Sequence, residues 1–173
     1  MQGGHAVLDW GAGARRAAIG PGGIAVKGGE GDGITPIGSW PVREIFYRAD
    51  RIAKPDVQLK LRAIAPDDGW CDAPNDSNYN RLVKRPYPAS AETMWRDDHL
   101  YDLVAVLGFN DDPVVAGKGS AIFLHLARSV GESRSDTSKE PGYANTHGCV
   151  ALKHDDALAA LEQLRPGDRV IIS

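Results

Sequence analysis

The chain has no membrane-length apolar run, no cysteine framework and no large excess of charge of either sign. No apolar stretch among its 173 residues approaches the ~18 needed to cross a bilayer, so no transmembrane segment is expected. Its two cysteines, Cys71 and Cys149, are too few for a secreted disulfide scaffold and read as free thiols. A formal net charge of −3, with Lys and Arg scattered rather than striped, argues against nucleic-acid binding. The opening Met1-Gln2-Gly3-Gly4-His5 has no charged and apolar leader, so no signal peptide is expected on this chain. There is no C-x-x-C or H-x-x-x-H spacing for zinc, and Gly117-Lys118-Gly119-Ser120 only imitates the end of a phosphate loop. No metal and no cofactor are expected.

Glycine and proline are plentiful, at 20 and 11 residues. They favour many short strands joined by turns over a helical bundle. Strand-length apolar runs lie at Ala6 to Trp10, Ala17 to Ile19, Ile24 to Lys27, Val42 to Tyr47, Leu59 to Ile64, Leu103 to Leu107, Ile122 to Leu126 and Val170 to Ile172. One segment, Asp155 to Arg165, has helical spacing through Ala157, Leu158, Leu161 and Leu164. Asp155 or Asp156 is expected to cap its start and Pro166-Gly167 to stop it. A second helical turn is expected near Ser90 to Trp95. Long loops are expected over Gly28 to Ser39, Pro66 to Pro88 and Gly131 to Asn145. The length suits one domain spanning 1–173.

The chemistry concentrates at Thr146-His147-Gly148-Cys149-Val150, with His125 closing an apolar strand and twenty residues intervening before Thr146. Most free cysteines are inert core residues. Here a histidine two positions away, a glycine beside the thiol and a helix a few residues later point to an activated nucleophile. Imidazolium and a helix amino terminus both favour thiolate. His125 at a strand end suits a rigid general base. The four Asp-Asp pairs read as solvated turns and caps, because adjacent side chains point apart.

The pattern of a histidine, a spacer and Ser/Thr-His-Gly-Cys resembles the catalytic signature of the YkuD-type L,D-transpeptidases. Gly31-Asp32-Gly33-Ile34-Thr35-Pro36-Ile37-Gly38 is similar to that family's GDG-x-TP-x-G turn. Asp67-Asp68-Gly69-Trp70-Cys71 and Gly108-Phe109-Asn110-Asp111-Asp112-Pro113 resemble its compact alphaproteobacterial members. The resemblance runs from about Ala6 to Ile172. It implies a mainly β domain, a sandwich or barrel with long loops and one helix after the cysteine. It further implies Cys149 as nucleophile, His125 as base with the Leu126 carbonyl orienting its ring, His147 nearby, and backbone N–H groups around Gly148 as oxyanion donors. Thr146, Arg128 and Trp70 are candidates for contacting substrate.

Three departures stand out. The spacer is long, as if Gly131 to Glu140 were inserted. Ala151 stands where Asn or Arg is common, and Leu126 where Gly is common. The implied partners are peptidoglycan stem peptides as donor and acceptor, handled by a monomer in the cell envelope through a carbapenem-sensitive thioester. Water resolving that thioester would give an L,D-carboxypeptidase. A different cysteine amidase and a catalytically silent wall-binding domain are the other classes.

Overall fold

The computed structural model describes residues 5–130 and 142–173, and the expected insertion at Gly131 to Glu140 lies outside them. The described residues are mainly β. The early strands are β1 (His5–Leu8), β2 (Arg15–Ala18), β3 (Ile24–Ala25), β4 (Thr35–Pro36), β5 (Gly38–Tyr47) and β6 (Leu61–Ala63). Next come β7 (Asp68–Cys71), β8 (Leu82–Lys84), β9 (Ala91–Thr93), β10 (Leu103–Leu107) and β11 (Phe123–Leu126). The remainder is β12 (Ser129–Val130), β13 (Gly142–Tyr143), β14 (Val150–Leu152), helix α1 (His154–Gln163) and β15 (Arg169–Ile172).

An eight-stranded sheet runs β1-β2-β14-β11-β10-β5-β15, with β6 also paired to β5. Strands β11 and β14 are parallel and pair Leu124 with Val150 and His125 with Ala151. The sheet divides two apolar cores because successive side chains alternate between faces. Leu103, Ala105, Leu107, Leu124, Val150 and Leu152 point to one face, where Ala157 and Leu161 of α1 cover them. Val104, Val106, Phe123 and Cys149 point to the other, packed with Trp70, Met94 and Tyr101. The second face is the one that carries the cysteine.

Several expectations need correction. The segment Pro66 to Pro88 is not a plain loop, because it contributes β7 and β8 to a three-stranded sheet ordered β8-β7-β9. The helical turn expected near Ser90 to Trp95 is instead β9, whose Ala91 and Thr93 pair with Cys71 and Gly69. Tertiary pairing overrides weak local preference in such short segments. The glycine-rich stretch at 28–39 likewise supplies β4 and the start of β5. Helix α1 begins after Lys153, which makes no side-chain cap, and Asp155 and Asp156 lie in its first turn. Those carboxylates face the positive end of the helix dipole rather than cap it. The helix ends at Gln163 with Leu164 already extended, ahead of Pro166-Gly167. No helix of the described residues is long and apolar enough to cross a membrane.

Candidate active site

Cys149 sits immediately before β14, and His125 lies on the neighbouring parallel strand β11. Because His125 pairs with Ala151, the cysteine is two residues along β14's line on the same face. Ala151 opposite the imidazole fills little space, and His125, Cys149 and Ala151 all line one cleft of about 740 Å³. Both cysteines are free and buried.

The histidine is locked in one tautomer. Its Nδ1 lies 2.9 Å from the Leu126 carbonyl oxygen, which only accepts, so Nδ1 carries the proton. Nε2 is then the unprotonated nitrogen. The Tyr101 ring meets the imidazole edge-on at 5.4 Å. Burial holds the ring neutral, depressing its pKa to about 4 against a smaller opposing effect of the Leu126 carbonyl.

The thiol donates to the Ala121 carbonyl at 3.2 Å and accepts from the Phe123 N–H at 3.4 Å. Burial pushes its pKa up to about 12, with the Phe123 N–H and Lys27 opposing and the Glu92 carboxylate adding to the rise. The activation expected from a following helix is therefore corrected. Strand β14 separates Cys149 from α1, and desolvation outweighs any distant dipole. The resting pair is thiol and neutral imidazole.

The turn before the thiol is tied down by Thr146, which is buried. Its Oγ1 donates to the Cys149 carbonyl at 2.7 Å and accepts the Gly148 N–H at 3.1 Å. The Gly148 N–H is thus engaged rather than free for an oxyanion. Gly148 has φ +137°, and a Cβ there would lie 2.8 Å from the Ile34 carbonyl oxygen. Only glycine fits this conformation and this approach. His147 is exposed at the cleft rim.

Arg128 also lines the cleft, exposed, with a 3.4 Å contact to Asp98. Trp70 does not. It is 6% exposed, donates Nε1 to Asn80 at 2.9 Å, and stacks edge-on behind Phe123 at 5.1 Å. Its expected contact with substrate is replaced by support of the sheet from the core side. Cys71 is likewise fully buried, away from the cleft lining.

Other cleft residues were not singled out by the sequence. Lys27 and Arg96 join Arg128 in supplying positive charge, and Glu30, Asp72 and Glu92 supply negative charge. Glu92 accepts from the Tyr101 hydroxyl at 2.7 Å and pairs with Arg96 at 3.4 Å. Desolvation raises its pKa, against the Tyr101 hydrogen bond and Arg96. Glu92 lies in the three-residue strand β9 and the others in turns between short strands, where no periodicity marks which way a residue faces.

Fold and cleft together define a mainly β protein that brings a buried thiol and a tautomerically fixed imidazole to one face of a mixed sheet. Comparison with curated proteins and with solved structures finds no match. The YkuD family model, an L,D-transpeptidase catalytic domain, matches residues 1–172, and the chain belongs to that family.

Proposed function

We propose that this chain forms peptidoglycan cross-links by two-step acyl transfer through Cys149, as a single catalytic domain in the cell envelope. The observation that carries the proposal is the shared face of β11 and β14, which opens the His125 ring and the Cys149 thiol onto the same cleft. The mixed charge of that cleft suits stem peptides, which carry both carboxylates and amines.

In the first step Nε2 of His125 takes the thiol proton as sulfur attacks the carbonyl carbon of a diaminopimelate residue in the donor stem. A C–S bond forms and the carbonyl π pair moves onto oxygen. The Cys149 N–H is the backbone donor assigned to that oxygen, since Thr146 holds the Gly148 N–H. Collapse breaks the C–N bond, and the leaving D-amino acid takes the proton from His125. In the second step an acceptor-stem amine gives its proton to His125 and attacks the thioester. The C–S bond breaks, and sulfur recovers the proton. The neutral resting pair supports proton transfer within the step over a standing ion pair.

Muropeptide analysis after incubating peptidoglycan with the native protein and with Cys149→Ala tests this. New cross-linked dimers from the native protein alone are expected. A carbapenem should add one drug mass to the native protein and none to the variant. Shortened monomers without dimers would assign hydrolysis instead. A folded protein that neither acylates nor alters peptidoglycan would sink the catalytic reading.

A further inference from the structure

Lys27 has a buried ammonium whose bonding is incomplete. Its side chain is 3% exposed, yet the residue lines the cleft that holds Cys149. Nζ donates to Asp32 at 2.5 Å and to the Ile34 carbonyl at 3.2 Å. An ammonium has three N–H groups, and the third has no partner among the described residues. Nζ lies 3.4 Å from the position a Cβ would take on Gly148, so it abuts the backbone next to the thiol.

The cation is held in place by its own anchor. Asp32 also accepts from the N–H groups of Gly28, Gly29 and Ile34, at 2.8, 3.1 and 2.9 Å. Burial would raise this carboxyl, but Lys27 and those backbone donors outweigh it and bring its pKa down to about 2. The Ile34 carbonyl that receives Lys27 is also the one that leaves no room for a side chain at Gly148. One set of contacts therefore fixes both the ammonium and the turn that bears the nucleophile.

We infer that Lys27 is a catalytic residue for acyl transfer, its remaining N–H serving the anionic charge that passes from the Cys149 sulfur to the substrate oxygen. This rests on the reading of Cys149 as nucleophile. The site needs such a group because the Gly148 N–H is taken by Thr146. Ala151 offers no cation, Arg96 is paired with Asp98 and Glu92, and Arg128 sits at the exposed rim. A positive charge fixed in a water-poor site stabilises developing anion without reorganising.

The test compares alkylation of Cys149 by anionic iodoacetate and neutral iodoacetamide, read by intact mass with Cys149→Ala as the blank. In the native protein the iodoacetate-to-iodoacetamide rate ratio should exceed that of free cysteine. Lys27→Met should lower the ratio about 10-fold and slow acylation by a carbapenem about 100-fold, a typical cost of losing one oxyanion donor. Lys27→Arg should keep most of the ratio. A purely structural lysine would change both alkylation rates together, and an unchanged ratio overturns the inference. If Lys27→Met does not fold, the native ratio decides, and a value at or below free cysteine overturns it. A native thiol inert to both reagents and to carbapenem overturns the parent reading as well.

Discussion

At the scale of single residues, burial favours the neutral forms of both His125 and Cys149. His125 is 6% exposed and titrates near pH 4 when folded, against 6.5 for a free imidazole. As pH falls, the unfolded chain therefore takes up this proton first. The ring's contribution to stability is complete above about pH 6.5 and is lost progressively toward pH 4, to a total of about 3 kcal/mol. Asp32 and Asp98, both held near pKa 2 against an ordinary 3.8, keep their stabilisation above about pH 4 and lose it as pH falls from there toward 2, below the pH values compared here. Urea unfolding at pH 7.5, 6 and 4.5 should show that loss in the native protein and a smaller one in His125→Asn. Effects of the other titrating groups are common to both proteins and cancel in the difference. Equal losses would mean that the folded ring protonates as readily as the unfolded one. The identities of Cys149 and His125 were legible in the sequence because a motif names them. Their protonation states were not, since burial, which decides them, comes from residues distant in sequence: Tyr101 against His125, and Trp70, Met94 and Tyr101 in the core that holds Cys149.

At the scale of elements, the sheet β8-β7-β9 acts as a buttress behind the cysteine face, and Asn80 is its fastening. Asn80 Oδ1 accepts from Trp70 Nε1 at 2.9 Å and from the Ala121 N–H at 3.0 Å. Its Nδ2 donates to the carbonyls of Phe109 and Asn110 at 3.0 and 2.8 Å. One side chain thus joins β7, the loop after β10 and the lead into β11, whose Ala121 carbonyl receives the thiol. Its φ of 57° is a left-handed conformation that asparagine tolerates better than most residues. Asn80→Ala should cost about 3 kcal/mol, chiefly from buried donors and acceptors left unpaired. Asn80→Gly accepts the backbone conformation freely, so a comparable loss there would assign the cost to the hydrogen bonds. Full recovery in the glycine variant, read by chemical denaturation, would assign it to backbone strain instead. This buttress was hidden in the sequence. Its strands are three or four residues long, and the buried Asp68, paired with Arg62 and Lys84, interrupts the apolar pattern. Strands β10 and β11 and helix α1 were legible because an unbroken apolar run marks each of the two strands and helical spacing persists through α1.

At the scale of the whole molecule, the main sheet separates the core covered by α1 from the face that carries Cys149 and His125. Leu161 of α1 is fully buried in the first core, across the sheet from Cys149. Phe123 is buried on the other side, between the rings of Trp70 and Tyr101, and its N–H holds the sulfur. Leu161→Ala removes side-chain volume that the neighbouring strands cannot refill and should cost about 2–5 kcal/mol. The alkylation rate of Cys149 in the folded fraction should stay within about twofold of native, since no cleft residue lies on α1 and distant sites add independently. Phe123→Ala should cost a similar amount but also change that rate, because it opens space beside the sulfur. Measuring both variants where more than 99% of each is folded, on the stability found by denaturation, separates the two faces. A rate altered equally by Leu161→Ala and Phe123→Ala would mean that the sheet transmits packing defects through its thickness, and the two cores would then behave as one.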